Sequence, residues 1–170
     1  MRVVKLRGWH IAVLVLALAA LLALGAADGG WWGPVIRGRP IPFTQLSIAE
    51  LPLPLIEAYS ETRWSEGVDA CLDSAAGDLY ILLRWGQQPT GGYRVVPKDV
   101  RVVRRWGQCQ IRIRSDYVVP APGQPVIEVA TFPAAGLRIT LQGIDPYDCT
   151  VVAFGLDGRP HGATAPLRRI

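Results

Sequence analysis

Histidine is scarce in this 170-residue chain, which has two, His10 and His161. A histidine-rich metal centre is thereby excluded. A Ser-His-Asp arrangement would have to use His161, in the Gly- and Pro-rich run from Gly158 to Gly162, where a histidine with no nucleophile motif beside it is ordinarily solvated. Cysteine is also sparse: Cys71, Cys109 and Cys149 are far apart and form no Cys-x-x-Cys, so neither a zinc nor a redox motif is supported. There is no Gly-x-Ser-x-Gly, and no Gly-Lys-Ser/Thr ending to any glycine-rich loop. The paired carboxylates of Asp145-Pro146-Tyr147-Asp148 read as a turn, because a calcium loop needs more oxygen ligands at regular spacing. These absences leave no catalytic residues, no metal ligands and no cofactor to propose, and the expectation is a protein that is not an enzyme.

What is present begins with a targeting segment. Arg2, Lys5 and Arg7 precede a stretch from Trp9 to Ala27 with no charged residue at neutral pH, the order of a basic n-region and an apolar h-region. Gly25-Ala26-Ala27 and Ala23-Leu24-Gly25 offer small residues for cleavage. The apolar stretch is also close to the ~20 residues a helix needs to cross the hydrocarbon core. Its length, and the Trp31-Trp32 pair that follows, favour retention as an N-terminal membrane anchor over release as a signal peptide. In either case the remainder is expected outside the cytoplasm.

Removing residues 1–27 changes the charge argument. The whole chain holds 18 basic residues against 14 acidic; without the segment it holds 15 against 14. A near-neutral exported part gives no reason to expect nucleic acid as a partner. Charge is uneven within that part, however. Residues 84–114 carry eight basic side chains against Asp99 alone, and residues 28–83 carry three basic against eight acidic. One expected arrangement sets an acidic helix against basic strands, with Glu128 paired across strands to Arg112 or Arg114. A basic face that is simply solvated is the second, and the more ordinary, arrangement, and a basic face for an acidic partner is the third.

Residues 28–42 read as a linker and 157–170 as a C-terminal tail, around a domain over 43–156. Phe43 to Ile48 suits a short strand. Leu51-Pro52-Leu53-Pro54 opens a helix over about 52–66, with Leu55, Ile56, Tyr59 and Arg63 on one side and Gly67 as its stop. Leu79 to Leu83 is apolar without alternation, as in a strand buried on both faces, whereas Ile111 to Arg114 and Leu137 to Gln142 alternate as half-buried strands do. Val95 to Val103, bent at Pro97, Val126 to Thr131 and Thr150 to Leu156 complete the expected strands. The fold class is mainly β, an antiparallel β-sandwich or partly open barrel with one N-terminal helix. Cys109 and Cys149, each at the start of a predicted strand, are the pair expected to form a disulfide if one forms; three buried thiols are the alternative.

After the most apolar strand comes Trp85-Gly86-Gln87-Gln88-Pro89-Thr90-Gly91-Gly92-Tyr93, whose adjacent glycines suit both a tight turn and a contact loop. It resembles the G-x-x-P-T-G-G-Y signature of the PrcB C-terminal domain family, described as protease-complex subunits. Pro120-Ala121-Pro122-Gly123 and Thr131-Phe132-Pro133 are similar to that family's P-x-P-G and T-x-P patterns, and the resemblance extends over about residues 43–156. It implies a secreted or surface-attached, non-catalytic subunit that associates with a protease, without the lipid anchor, because no lipobox cysteine is present. Pro89 to Tyr93 also resembles the N-P-T-T-G-Y loop of chagasin-type cysteine-protease inhibitors, with Gln88 in place of Asn and Gly91 in place of the second Thr. Both resemblances make Pro89, Thr90, Gly91, Gly92 and Tyr93 the expected partner-binding residues and an extracytoplasmic protein, a protease, the expected partner.

Overall fold

A computed structural model of the chain describes residues 38–105, 108–141, 143–144, 149–161 and 168–169. All described residues belong to one compact unit, which spans 38–170. The expected targeting segment, Trp31, Trp32 and the turn expected at Asp145–Asp148 lie outside the described residues. Among the described residues no helix is long and apolar enough to cross a membrane.

Among the described residues the strands are β1 (Arg39–Pro40), β2 (Phe43–Leu46), β3 (Glu66–Asp73), β4 (Asp78–Trp85), β5 (Arg94–Arg105), β6 (Gln108–Val118), β7 (Ala134–Thr140), β8 (Cys149–Gly155) and β9 (Arg168–Arg169), with one α-helix, α1 (Leu53–Thr62). They form two sheets, a four-stranded one in the order β1-β5-β6-β8 and a five-stranded one in the order β2-β7-β4-β3-β9. The expected mainly β class with one helix holds, and the two sheets do not join into a closed barrel. Pairing is not wholly antiparallel: β6 with β8 and β3 with β9 run parallel. Long crossovers, over β7 in the first case, make those parallel pairs possible.

β4 explains its own composition. It lies between β3 and β7, and its two faces meet two separate clusters. Leu79, Ile81 and Leu83 point into the core between the sheets with Ile111, Ile113, Leu137, Ile139 and Val151. Leu82 and Tyr80 turn the other way, onto Leu51, Leu55, Ile56 and Tyr59 of α1 and the turn before it. A strand covered on both faces has no solvent side, hence no polar alternation. β6 and β7 alternate because only one face of each enters the inter-sheet core. The bend foreseen at Pro97 is a register shift between Pro97 and Asp99 in the β5/β6 pair.

Several expectations need correction. Val126 to Thr131 is not a strand: it has only an isolated bridge from Thr131 to Gln88, since its backbone is used to brace the 86–93 loop. Glu128 therefore sits in a loop and has no cross-strand position opposite Arg112 or Arg114. Nor does the acidic helix face the basic strands, because α1 covers the five-stranded sheet whereas β5 and β6 belong to the other. The expected linker contributes to the fold from residue 39, with β1 paired to β5 and Ile41 in the core. Pro160 likewise bridges back to Phe154 and β9 pairs with β3, so the expected tail is held against the domain.

The helix ends at Thr62 rather than near residue 66, and Gly67 is not its stop. Gly67 lies within β3 opposite Arg84, where a Cβ would fall 2.5 Å from the Arg84 guanidinium. Arg84 is what finishes the helix: its Nη1 donates to the carbonyls of Thr62 and Ser65, the latter at 2.8 Å, while Nε donates to Asp69 Oδ2 at 3.0 Å. A cation at a helix C-terminus meets the negative end of the macrodipole and satisfies carbonyls that have no intrahelical donor. The glycine is there to make room for that charge.

Cys109 and Cys149 are register partners in the parallel β6/β8 pair and are joined by a disulfide, with Cα atoms 4.3 Å apart. Cys71 is buried beneath α1 beside Leu51, Leu55 and Leu82.

Candidate partner-binding site

The loop from Gly86 to Tyr93 joins the centre of one sheet, at the end of β4, to the start of β5 in the other. It is braced along its length by residues 120–133. Gln88 and Thr131 exchange both backbone hydrogen bonds, at 2.8 and 3.0 Å. Gly91 N–H donates to Ile127 C=O at 2.8 Å, and Thr131 Oγ1 donates to Thr90 C=O at 2.6 Å. The segment that failed to form a strand thus acts as the brace, and the P-T-G-G-Y and T-x-P elements turn out to be two sides of one contact.

The two glycines have different work. Gly92 has φ +86°, and a Cβ there would come within 3.0 Å of Pro120 and 3.1 Å of Val126, so both conformation and space require glycine. Gly91 is without such a demand: a Cβ would meet Ile127 at ordinary contact distances of 3.5 Å and beyond. Tyr93 turns inward, its ring edge-on to Trp85 at 5.4 Å, so it anchors the loop base, whereas Pro89 and Gly92 are exposed. Of the five expected contact residues, the structure gives an outward position to Pro89 and Gly92, a half-buried one to Thr90 and Gly91, and an anchoring one to Tyr93.

Sequence reasoning had not assigned the brace a contact role. Ile127 and Val129 are 73% and 60% exposed, and Val119, just before Pro120, is exposed as well. On the other flank, Gln87 N–H donates to Trp64 C=O at 3.2 Å. Trp64, itself exposed, packs edge-on against Phe132 at 4.6 Å, and the Arg63 guanidinium lies over the Phe132 ring at 4.8 Å. Tyr59 OH donates to Phe132 C=O at 2.8 Å, which ties this edge to α1. The result is a rigid ridge with large apolar side chains on its surface, the composition of an interface core. Thr131 in the T-x-P pattern was the signal that the two segments belong together.

His161 is not a solvated loop residue. Its Nδ1 lies 2.6 Å from Glu66 Oε1, its ring stacks on Tyr117 at 3.9 Å, and its amide donates to Ala153 C=O at 3.0 Å. Burial pushes the Tyr117 phenol far above the ordinary tyrosine range, and the Glu66 carboxylate adds to the effect. The cluster joins β3 of one sheet to β6 and β8 of the other, which is a structural duty. Among the described residues no three His, Cys, Asp or Glu side chains group as metal ligands would.

Residues 79–140 match the family model described as PrcB C-terminal. The matched stretch runs from β4 to the end of β7 and contains both the Pro89–Tyr93 loop and its brace. The region that carries the motifs therefore resembles that domain family, as the P-T-G-G-Y signature implied. No curated protein and no solved structure matches the chain.

Proposed function

We propose that this chain is an extracytoplasmic accessory subunit, tethered through residues 1–27, that binds a protease through the ridge formed by Pro89–Tyr93 and residues 119–132. The observation that carries the reading is the pairing of bracing with exposure: the loop is hydrogen-bonded to its neighbours at Gln87, Gln88, Thr90 and Gly91, yet Ile127, Val129 and Pro89 stay in solvent beside it. Burying one such aliphatic side chain contributes about 1.5–3 kcal/mol, so the fold forgoes stability that a bound partner would recover. A preformed ridge also loses little conformational entropy on binding. The family match, with its name drawn from a protease complex, supports a protease as the partner class and an accessory rather than catalytic role.

Affinity purification of the tagged full chain from its native envelope, read by mass spectrometry, tests this. A protease recovered at near-equal amounts from wild type and lost with Gly91→Trp is the expected result. Recovery of the bait alone in repeated purifications would refute it. Slowing of a papain-like protease by the purified chain would point instead to loop-based inhibition of the chagasin type.

A further inference from the structure

Two arginines stand at the C-terminal end of α1, and they are held in opposite ways. Arg84 is taken up inside the fold by Asp69, Thr62 and Ser65. Arg63, at the C-cap of the helix, makes no hydrogen bond or ion pair through its guanidinium among the described residues. What holds it is aromatic: the guanidinium carbon lies 4.8 Å from the centre of the Phe132 ring and 5.2 Å from that of Trp64. The two rings meet edge-on at 4.6 Å. Tyr59 OH donates to Phe132 C=O and Gln87 N–H to Trp64 C=O, which fixes the backbone that carries each ring.

This setting has the parts of an anion receptor. Nε of Arg63 is shielded from solvent without a partner, whereas the two Nη nitrogens, equally without partners, are not shielded. The inner edge of the fork is closed and the outer edge is open. A flat cation held against ring faces keeps one orientation, so it loses little freedom when an anion arrives, and the low polarity of the rings strengthens the pair. Without an anion, the buried Nε is an uncompensated cost.

The surroundings select the kind of anion. Trp64 is 55% exposed, and Phe132 belongs to the same brace as the exposed Ile127 and Val129. A phosphoryl group calls for several donors, and Arg84, the other guanidinium at this helix end, is already engaged. A single fork flanked by apolar rings suits a planar carboxylate, taken end-on by the two Nη nitrogens. We infer that Arg63 recognises a carboxylate of the partner protein, an Asp or Glu side chain or a C-terminus, with an apolar residue next to it that covers Trp64. The inference rests on the reading of the ridge as the partner-binding surface, and it adds the charge that the partner must bring.

The test uses the full chain in its native envelope. A photoreactive side chain in place of Ile127 reports capture of the partner, and Arg63→Gln in that background should lower the captured amount about fivefold or more. Arg63→Lys is treated separately with a water-soluble carbodiimide, which activates a carboxylate so that a neighbouring lysine amine displaces the urea and forms an amide. Mass spectrometry should find that amide between position 63 and an Asp, Glu or C-terminal residue of the protein captured from position 127. A merely structural role for Arg63 would not give this product. Capture from position 127 that Arg63→Gln leaves unchanged, or persistent capture with no amide at position 63, would overturn the inference and leave the ridge standing. No capture from position 127 with Arg63 intact would remove the reading of the ridge, and this inference with it. A photoreactive side chain in place of Trp64 that captures phospholipid and no protein would overturn the inference in favour of a lipid surface.

Discussion

Replacing Arg84 by Met removes a charge that the fold has surrounded. The side chains of Arg84 and Asp69 are 8% and 14% exposed, and the guanidinium serves Asp69 Oδ2, Thr62 C=O and Ser65 C=O together. Met keeps most of the volume, so the loss is electrostatic: a buried carboxylate without its cation, and the Ser65 carbonyl without its guanidinium donor, while the Thr62 carbonyl keeps its bonds from Ser65. Breaking a buried pair from one side costs about 3–5 kcal/mol, a large part of the ~5–15 kcal/mol that holds a domain together. Urea denaturation followed by tryptophan fluorescence should show the midpoint falling with an unchanged slope. Arg84→Met with Asp69→Leu should recover most of the loss, because no charge is then stranded. Gly67→Ala supplies an independent check. In wild type the new Cβ presses on the guanidinium and should cost about 1–3 kcal/mol, whereas in the Arg84→Met background the same change should cost less than about 0.5 kcal/mol. A loss under about 1 kcal/mol for Arg84→Met, or equal Gly67→Ala costs in both backgrounds, would refute the reasoning.

Other consequences follow from single contacts. Gly92→Ala should destabilise by at least about 1 kcal/mol through its positive φ and the approach of Pro120, while Gly91→Ala should lie within about 0.5 kcal/mol of wild type; chemical denaturation of the two variants distinguishes them. Since the Tyr117 phenol is raised in the folded state, its contribution to stability is fully present below the unfolded tyrosine value near 10. Above about pH 10 the unfolded chain releases that proton and the folded one keeps it, so stability should fall by about 1.4 kcal/mol per pH unit, a slope that Tyr117→Phe removes. The Cys109–Cys149 bridge spans a sequence separation of 40. Chain-entropy arithmetic puts its stabilisation at about 4 kcal/mol, so reduction by dithiothreitol should lower the thermal midpoint of the purified chain, an effect absent from Cys109→Ser with Cys149→Ser.

The sequence is most legible where one-dimensional periodicity and burial coincide. β4 reads as two-sided, and β6 and β7 as one-sided, because the number of covered faces is written into alternation. Val126 to Thr131 misleads for a related reason. Its β-branched residues favour extended backbone, but the hydrogen bonds of that backbone go to the Gly86–Tyr93 loop, and strand propensity does not say which segment a backbone will pair with. Gly67 was misread because a glycine after a helix ordinarily stops it, and nothing local announces that its missing Cβ accommodates a guanidinium from seventeen residues further along the chain. His161 was undervalued for the same reason: Glu66 and Tyr117, which hold it, are distant in sequence. The candidate loop was found from its motif, yet its exposed neighbours Ile127 and Val129 became visible only once the brace was placed against it.

The central claim, that the braced ridge meets a protease, is tested most directly by site-specific photo-crosslinking in the native envelope. One photoreactive side chain replaces Ile127 on the ridge, and another replaces Ala75 in the turn between β3 and β4, at the far end of β4 from the loop. A crosslink to a protease from position 127 and none from position 75 is the outcome the account predicts. Crosslinking to a protease from position 75 with position 127 silent would contradict it.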